Sequence, residues 1–462
     1  MNKVKLLLLI LLSTLVIINA CAPVTPTPTI PATRTPTPQP PTATPAPTSE
    51  PTLVVDLQAL RGKEVKVAYP WAVDKNRFNQ LIDDFNLTNA WGIQAVAEFY
   101  ENDAVMAEAL LQAGVDADVL IGKTYDLRNP QNQISYLDLN RYINDPTWGA
   151  LKAYRSGSPF EVFAPQPNES SPRFSLPLAF DAGLIYYRTS WAKELGIEAV
   201  PTTWDDFASQ MQLGLKINIE DNLWGNNGTG GLLLSKSVLS AQSWYAAFGG
   251  TYSLENQVLQ LQDAALDASF RTLKQAYTDD TSWVGLEPTP YQYFADKYAL
   301  AYEGTLSELN QQADFLPEKS AGLNWESIPY PTADGSGSIA LESISVAINA
   351  ADTETALAAW FFVRWLLQST QQVRLVELNG LWPATGHPAV VAPDYAAVHP
   401  AWASALRKGV RLTLAPEEAQ WGINRYVLQD AYLRVYGLEP EYFSSIIDVL
   451  KQTLAEYPAR QP

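Results

Sequence analysis

Cysteine is almost missing from this chain: Cys21 stands alone in 462 residues. No intramolecular disulfide can form, so stability must come from packing. Histidine is nearly as rare. His387 and His399 lie in Pro-rich surroundings, at a spacing that does not place two imidazoles on one helical face, and no HExxH motif is present. A Ser-His-acid triad would have to draw on one of these two, and no GxSxG elbow accompanies them. Basic runs are also lacking. Lys and Arg number 31 against 49 Asp and Glu, a formal charge of −18. Binding to a phosphate backbone needs clustered positive charge, which excludes a nucleic-acid binder. No apolar stretch reaches the ~20 residues of a membrane-spanning helix, so the body of the chain reads as soluble.

What is present begins with the N-terminus. Lys3 and Lys5 precede the apolar run 6–18, and Ile17-Ile18-Asn19-Ala20-Cys21 follows. A basic start, a short apolar stretch and a small residue before the cut predict a secretory signal over 1–20. The Cys after Ile-Asn-Ala resembles a bacterial lipobox, in which the thiol takes a diacylglycerol and becomes the first mature residue. The alternative, a small buried Cys, needs folded sequence around it, and a Pro/Thr tract follows instead. That tract, within 21–60, has few large apolar residues. It cannot build a core and predicts an extended tether, which also suits O-glycans.

From Arg61 onward the pattern changes. Val65, Val67 and Tyr69 alternate as in a strand, and Phe78, Leu81, Ile82 and Phe85 share one helical face. The run 117–122 is strand-like after a helical stretch. Alternating strand and helix over 61–145 predicts a parallel α/β layer. A crossing strand at 184–187 feeds a helix, and Thr202 or Thr203 caps the next one. The middle, 205–320, reads as mainly helical with Gly-rich breaks at 226–231 and 249–250. Ile344, Val346 and Ile348 mark another strand. The helix 355–368 is apolar almost all round and predicts burial. Helices follow from Pro416. Hydrophobic content of 47% suits substantial cores, and the length suits two or three domains. Fourteen Trp and 22 Tyr exceed what cores need and suit a surface that stacks on rings.

The segments LPLAFDAGLIYYRTSW (176–191) and VPTTWDDF (200–207) resemble the extracellular solute-binding proteins (family 1, sugar type) of ABC importers, in lipoprotein form. YALAYEGTLSEL (298–309), IPYP (328–331), the strand and helix from Ser345 to Leu367, and NGLWPA (379–384) resemble later segments of that family in the same order. The resemblance implies an α/β, periplasmic-binding-protein-like fold of type II: two lobes, a discontinuous chain and hinge strands. Lobe one is expected over 61–177 plus 328–368, lobe two over 178–327 plus 369–462. It implies hinge closure over a mono- or oligosaccharide, delivery to permease subunits, and a lipid anchor on the extracytoplasmic face of the cell membrane. No catalysis, cofactor or metal is implied.

A sugar offers hydroxyls and one apolar face, so its site needs carboxylates or amides and aromatic platforms near strand C-termini. The resemblance places Tyr69, Trp71 and Asp74 in a ligand loop; Trp71 alternatively packs on the next helix. Tyr125 and Asp126 follow the strand 117–122 at an equivalent position. Asp181 sits at the first crossing, as ligand acid, cap or hinge ion pair. Trp244 and Glu303 (in Tyr302-Glu303-Gly304-Thr305) face the cleft from lobe two. Trp382 and Trp421 complete the aromatic set; Trp421 and Tyr426, which begin a C-terminal helix, fit a core equally well. Trp224, Asn226 and Asn227 precede a Gly-rich stretch without the Lys-Ser/Thr ending of a phosphate loop. Leu306 stands where relatives carry a Trp, which weakens maltose-like stacking. Trp148, Trp191, Trp204, Trp360, Trp365 and Trp402 read as packing residues.

Two other classes compete. The acid pairs Asp83-Asp84, Asp205-Asp206 and Glu417-Glu418 could serve a secreted glycosidase, but adjacent acids at helix starts are better read as solvated charge. A receptor for signalling, or for a peptide or polyamine, shares the same scaffold. Tyr186 and Tyr187, as strand neighbours, point to opposite faces and cannot chelate together.

Overall fold

The computed structural model describes residues 53–460 except 72–74, 113, 130–133, 156, 168–170, 257, 287–288, 321 and 351. Cys21, the Pro/Thr tract up to residue 52 and Asp74 lie outside the described residues. The packed chain begins earlier than Arg61. Leu53 and Leu60 are buried, the Leu53 N–H donates to Asp145 Oδ2 at 2.7 Å, and Asp56 caps the short helix Leu57–Leu60.

Thirteen strands are described. They are β1 (Glu64–Tyr69), β2 (Gln94–Phe99), β3 (Val119–Lys123), β4 (Leu176–Tyr187), β5 (Gly230–Leu234), β6 (Ser253–Glu255), β7 (Val258–Gln260), β8 (Ser282–Val284), β9 (Ala299–Thr305), β10 (Glu326–Ile328), β11 (Ser338–Ile348), β12 (Trp382–Pro383) and β13 (Arg411–Leu414). The main sheet runs β2-β1-β3-β11-β4-β9-β5-β8. At one end β1, β2 and β3 are parallel. At the other β5, β8 and β9 are parallel. Each parallel set needs covering helices, and the sequence alternates accordingly.

Two long strands join the ends. β4 pairs antiparallel with β11 as far as Asp181. From Gly183 it pairs with β9 instead. Every residue of β4 and β11 is buried. Tyr186 and Tyr187 fall in two different cores, as the two-residue period of a strand demands.

The first core is strongly aromatic. The helix Thr353–Leu366, capped by Asp352, buries Trp360, Phe361 and Phe362 completely. Trp91 stacks on Phe361 at 4.2 Å, and the Trp360 indole N–H donates to the Trp148 carbonyl at 3.0 Å. The second core gathers Phe207, Trp244, Phe270, Trp421 and Phe443.

The middle of the chain is less helical than its periodicity predicts. Thr203, rather than Thr202, caps the helix Trp204–Glu220, but the Gly-rich stretch that follows opens strand β5. The reason is close approach. A Cβ at Gly214 would lie 2.1 Å from the Gly230 carbonyl oxygen, so helix and strand touch backbone to backbone. Gly214→Ala should lower the unfolding free energy by about 1–3 kcal/mol through overpacking. Urea denaturation checks this, and an unchanged midpoint would reject the contact.

Candidate functional site

Where the parallel strands end, charged and aromatic side chains from both ends of the sheet meet. β3 delivers Lys123 and the helix Thr124–Leu127 delivers Tyr125 and Asp126. β11 contributes Glu342, which lies opposite Asp181 of β4 in the ladder. The helix Val238–Ala247 brings Gln242, and the helix Trp421–Val435 brings Trp421 and Arg425.

Glu342 organises the group. Its carboxylate pairs with Lys123 Nζ, and with Arg425 Nη1 at 3.5 Å. The Gln242 amide N–H donates to it at 3.5 Å. The Arg425 guanidinium lies over the Tyr125 ring at 4.4 Å and the Tyr426 ring at 4.8 Å, a cation–π arrangement. Asp181 accepts from the Ala182 N–H at 2.8 Å, the Ser307 N–H at 3.2 Å and the Ser307 hydroxyl at 2.9 Å. Arg128 pairs with Glu417 at 3.3 Å, adding a second link between the helix Thr124–Leu127 region and the segment before Trp421.

The cluster is rich in carboxylates. Burial pushes the Asp126 carboxyl up to about 7, and Asp103 nearby adds to the rise. Burial also raises Asp103 and Asp181, against the pull of Lys123. For Lys123 burial opposes the charge, but Glu342, Asp103 and Asp181 together overcome it and hold the ammonium above its ordinary range.

Three buried polar atoms here have no hydrogen-bond partner: the Tyr125 hydroxyl, the Gln242 amide oxygen and the Trp421 indole nitrogen. Their residues are 3%, 0% and 1% exposed. Buried donors and acceptors are normally paired, so these three are candidates for bonds to another molecule.

A second group lies on the β9 side. Glu303 accepts from the Ser235 N–H at 2.8 Å, from the Ser240 hydroxyl and from the Trp244 indole. Burial raises its carboxyl to about 7, against these three donors. With Glu308, Lys236, Thr289 and Tyr293 it lines a cavity of about 260 Å³ at the carboxyl ends of β5 and β8.

Over residues 80–397 the chain matches the bacterial extracellular solute-binding protein family. The chain belongs to that family. Solved structures share its fold. The cyclic alpha-maltosyl-1,6-maltose binding protein from Arthrobacter globiformis is 14% identical, with a TM-score of 0.67 over 85% of this chain and 98% of that one. The sugar-binding protein MalE from Xanthomonas citri is 15% identical, with a TM-score of 0.67 over 87% and 100%. The GacH receptor of Streptomyces glaucescens is 14% identical, with a TM-score of 0.63 over 85% and 98%. No curated protein sequence shows significant similarity to the chain. The fold is thus the two-lobed α/β fold of periplasmic binding proteins, and β4 and β11 are strands that cross between its ends.

In this solute-binding protein the residues named from sequence separate into groups. Tyr125, Asp126, Asp181 and Trp421 belong to the charged cluster. Trp244 and Glu303 bond to each other in the second group. Trp244 is wholly buried, its edge toward Trp204 and Tyr330, both at 5.2 Å. Trp71 is half-buried and meets Phe78 of the next helix edge-on at 5.4 Å. Tyr69 is buried, its hydroxyl donating to Asn79 Oδ1 at 3.2 Å. Trp382 lies in the first core. Its indole N–H donates to the Trp402 carbonyl at 2.8 Å, and its ring stacks on Phe160 at 5.9 Å. Trp224 is 91% exposed on the surface. Lys123, Gln242, Glu342 and Arg425 were not anticipated. One signal was available: Glu342 is the single acid in the apolar run 339–348.

A carboxyl raised by folding holds its proton more tightly in the folded state than in the unfolded one. The folded state then binds more protons between the ordinary carboxylate value, about 4, and about 7. Stability from Asp126 therefore falls as pH rises through that window. Asp126→Asn should show a shallower loss of stability between about pH 4 and about pH 7 than the parent chain. Urea titrations at stepped pH measure the difference, and equal slopes would refute the buried placement.

Proposed function

We propose that this chain is the substrate-binding lipoprotein of an ABC importer, capturing a mono- or oligosaccharide in the cleft between its lobes and delivering it to membrane permease subunits. No bond is made or broken in this reading. The observation that carries it is the set of three unpartnered buried polar atoms among aromatic rings and carboxylates where the two ends of the sheet meet. Carboxylates and amides suit sugar hydroxyls, and aromatic faces suit the C–H face of a sugar ring. Proteins of similar fold support the choice of solute: the domain from Bdellovibrio bacteriovorus binds maltotriose, the Streptomyces receptor acarbose, and the protein from Listeria monocytogenes cycloalternan.

The lobes in this proposal are 61–177 plus 328–368 and 178–327 plus 369–462. The hinge lies where β4 changes partner between Asp181 and Gly183. Closure brings Arg425 onto Tyr125 and Arg128 onto Glu417, and opening separates them. Trp71, half-buried just after β1, contributes to one wall of the site, and Trp244 with Glu303 supports the other. Cys21, lipidated after signal cleavage, holds the receptor on the extracytoplasmic face, with the Pro/Thr tract as its tether.

Calorimetric titration against neutral and substituted sugars tests the saccharide reading. Trp421→Ala should weaken the bound sugar by about 1–3 kcal/mol, as for loss of a buried aromatic anchor. Tryptophan fluorescence should shift on binding. Heat with a peptide or polyamine and none with any sugar would sink the reading, as would release of reducing ends from a glycan. Separately, Cys21→Ser should move the protein from the membrane fraction to the medium; retention on the membrane would remove the anchor.

A further inference from the structure

The charged cluster does not end at Asp181. Ser307 donates to Asp181 through its N–H at 3.2 Å and its hydroxyl at 2.9 Å. The next residue, Glu308, lines the cavity of about 260 Å³ at the carboxyl ends of β5 and β8. Thr305 and Glu308 close this turn as a capping box, so the turn is a fixed wall shared by both places. The helix Trp421–Val435 links them a second time. Its Arg425 reaches Glu342 in the cluster. Four residues on, its Gln429 amide donates to the Lys236 carbonyl, and Lys236 lines the cavity. Four helical residues rise about 6 Å, so cluster and cavity lie side by side.

The cavity is built for hydroxyls. Glu303, on its wall, is 3% exposed. Its Oε2 takes the Ser235 N–H and the Ser240 hydroxyl, while Oε1 takes only the Trp244 indole N–H. A carboxylate offers about four acceptor positions, so one at Oε1 is left. Burial raises this carboxyl to about 7. Near neutrality it accepts in one form and donates in the other, and a hydroxyl, which does both, meets either. An ammonium, which only donates, meets one form alone. Glu308 uses Oε2 on the Thr305 N–H and hydroxyl, at 2.7 and 3.1 Å, and Oε1 has a long contact of 3.5 Å from the Tyr291 hydroxyl. Leu234 and the half-buried Tyr293 add apolar surface for the C–H face of a ring. The volume falls below the ~300–1,000 Å³ of pockets that hold a whole drug-sized ligand, and suits one sugar ring.

We propose that this cavity is a second ring subsite beside the charged cluster, and that the saccharide taken is an oligosaccharide: one ring completes the cluster and a further ring enters beside Glu303, Glu308 and Tyr293. The proposal rests on the saccharide-receptor reading above and narrows it from single sugars to chains.

Calorimetry on three matched length series tests it: glucose, maltose and maltotriose; glucose, cellobiose and cellotriose; xylose, xylobiose and xylotriose. In at least one series the dimer or trimer should bind about tenfold or more tightly than its monomer. Tyr293→Ala removes the ring from the cavity, and Thr289→Trp puts bulk into its wall at an exposed position. In each variant the ratio of longer-chain to monomer affinity should fall toward unity. A ratio taken within one variant cancels any general loss of affinity, and thermal melts confirm that each variant folds. Tyr293 also packs edge-on against Trp283 at 5.1 Å, so Thr289→Trp keeps the test decisive if Tyr293→Ala does not fold. Monomers that bind as tightly as their longer members overturn this inference and leave the saccharide reading standing. A length preference that persists in the folded variants overturns the assignment to this cavity. Binding of no member in any series overturns both readings.

Discussion

The antiparallel pairing of β4 with β11 is the constraint on which the rest depends. Both strands are buried along their whole length, and each belongs to more than one neighbour. β4 leaves β11 at Asp181 and takes up β9 at Gly183. β11 holds β3 through 344–348 and β13 through 338–341. A chain that shares its two longest strands between the ends of one sheet has a crossing at its centre. The ladder there sets Asp181 opposite Glu342. Two like charges facing each other across buried strands are tolerated only with compensation. Lys123, Arg425 and Ser307 supply it. The compensation draws the helix Trp421–Val435 toward the helix Thr124–Leu127, and so fixes which side chains meet.

Aromatic residues divide between two tasks. Those of the first core, such as Trp360, Trp382 and Trp402, place an indole N–H on a backbone carbonyl while burying the ring. This is the arrangement a buried indole needs, since an unpaired N–H costs free energy. Trp421 buries its ring and leaves its N–H unpaired. The contrast sets Trp421 apart from these scaffold tryptophans, although all are equally buried.

Much of the fold was legible along the chain. The alternation of Val65, Val67 and Tyr69 and the helical face of Phe78, Leu81, Ile82 and Phe85 both match the buried positions. The fully apolar helix Thr353–Leu366 is buried as its pattern demands. The Gly-rich stretch near 230 misled because glycine marks both turns and close packing, and here Gly214 meets Gly230 backbone to backbone. Of the residues put forward for the site, Tyr125, Asp126 and Asp181 sit after a strand end or at a crossing that a local pattern reveals, and Trp421 opens a helix packed beside them. Trp382 could not be sorted from them, since a Trp beside a Gly-rich turn looks the same whether it faces a cleft or a core.

By itself the sequence determined the absence of an intramolecular disulfide, the alternation of strands and helices, and the excess of negative charge. These follow from composition and short-range periodicity, which need no knowledge of which segments meet. Only the tertiary structure decided that Lys123, Gln242, Glu342 and Arg425 share one cluster. Those residues are separated by up to hundreds of positions along the chain, and their proximity arises from the crossing of β4 and β11 and the packing of two distant helices upon it. Ion pairing and burial act through space, so the balance of charge at the site is a property of the fold and not of any segment within it.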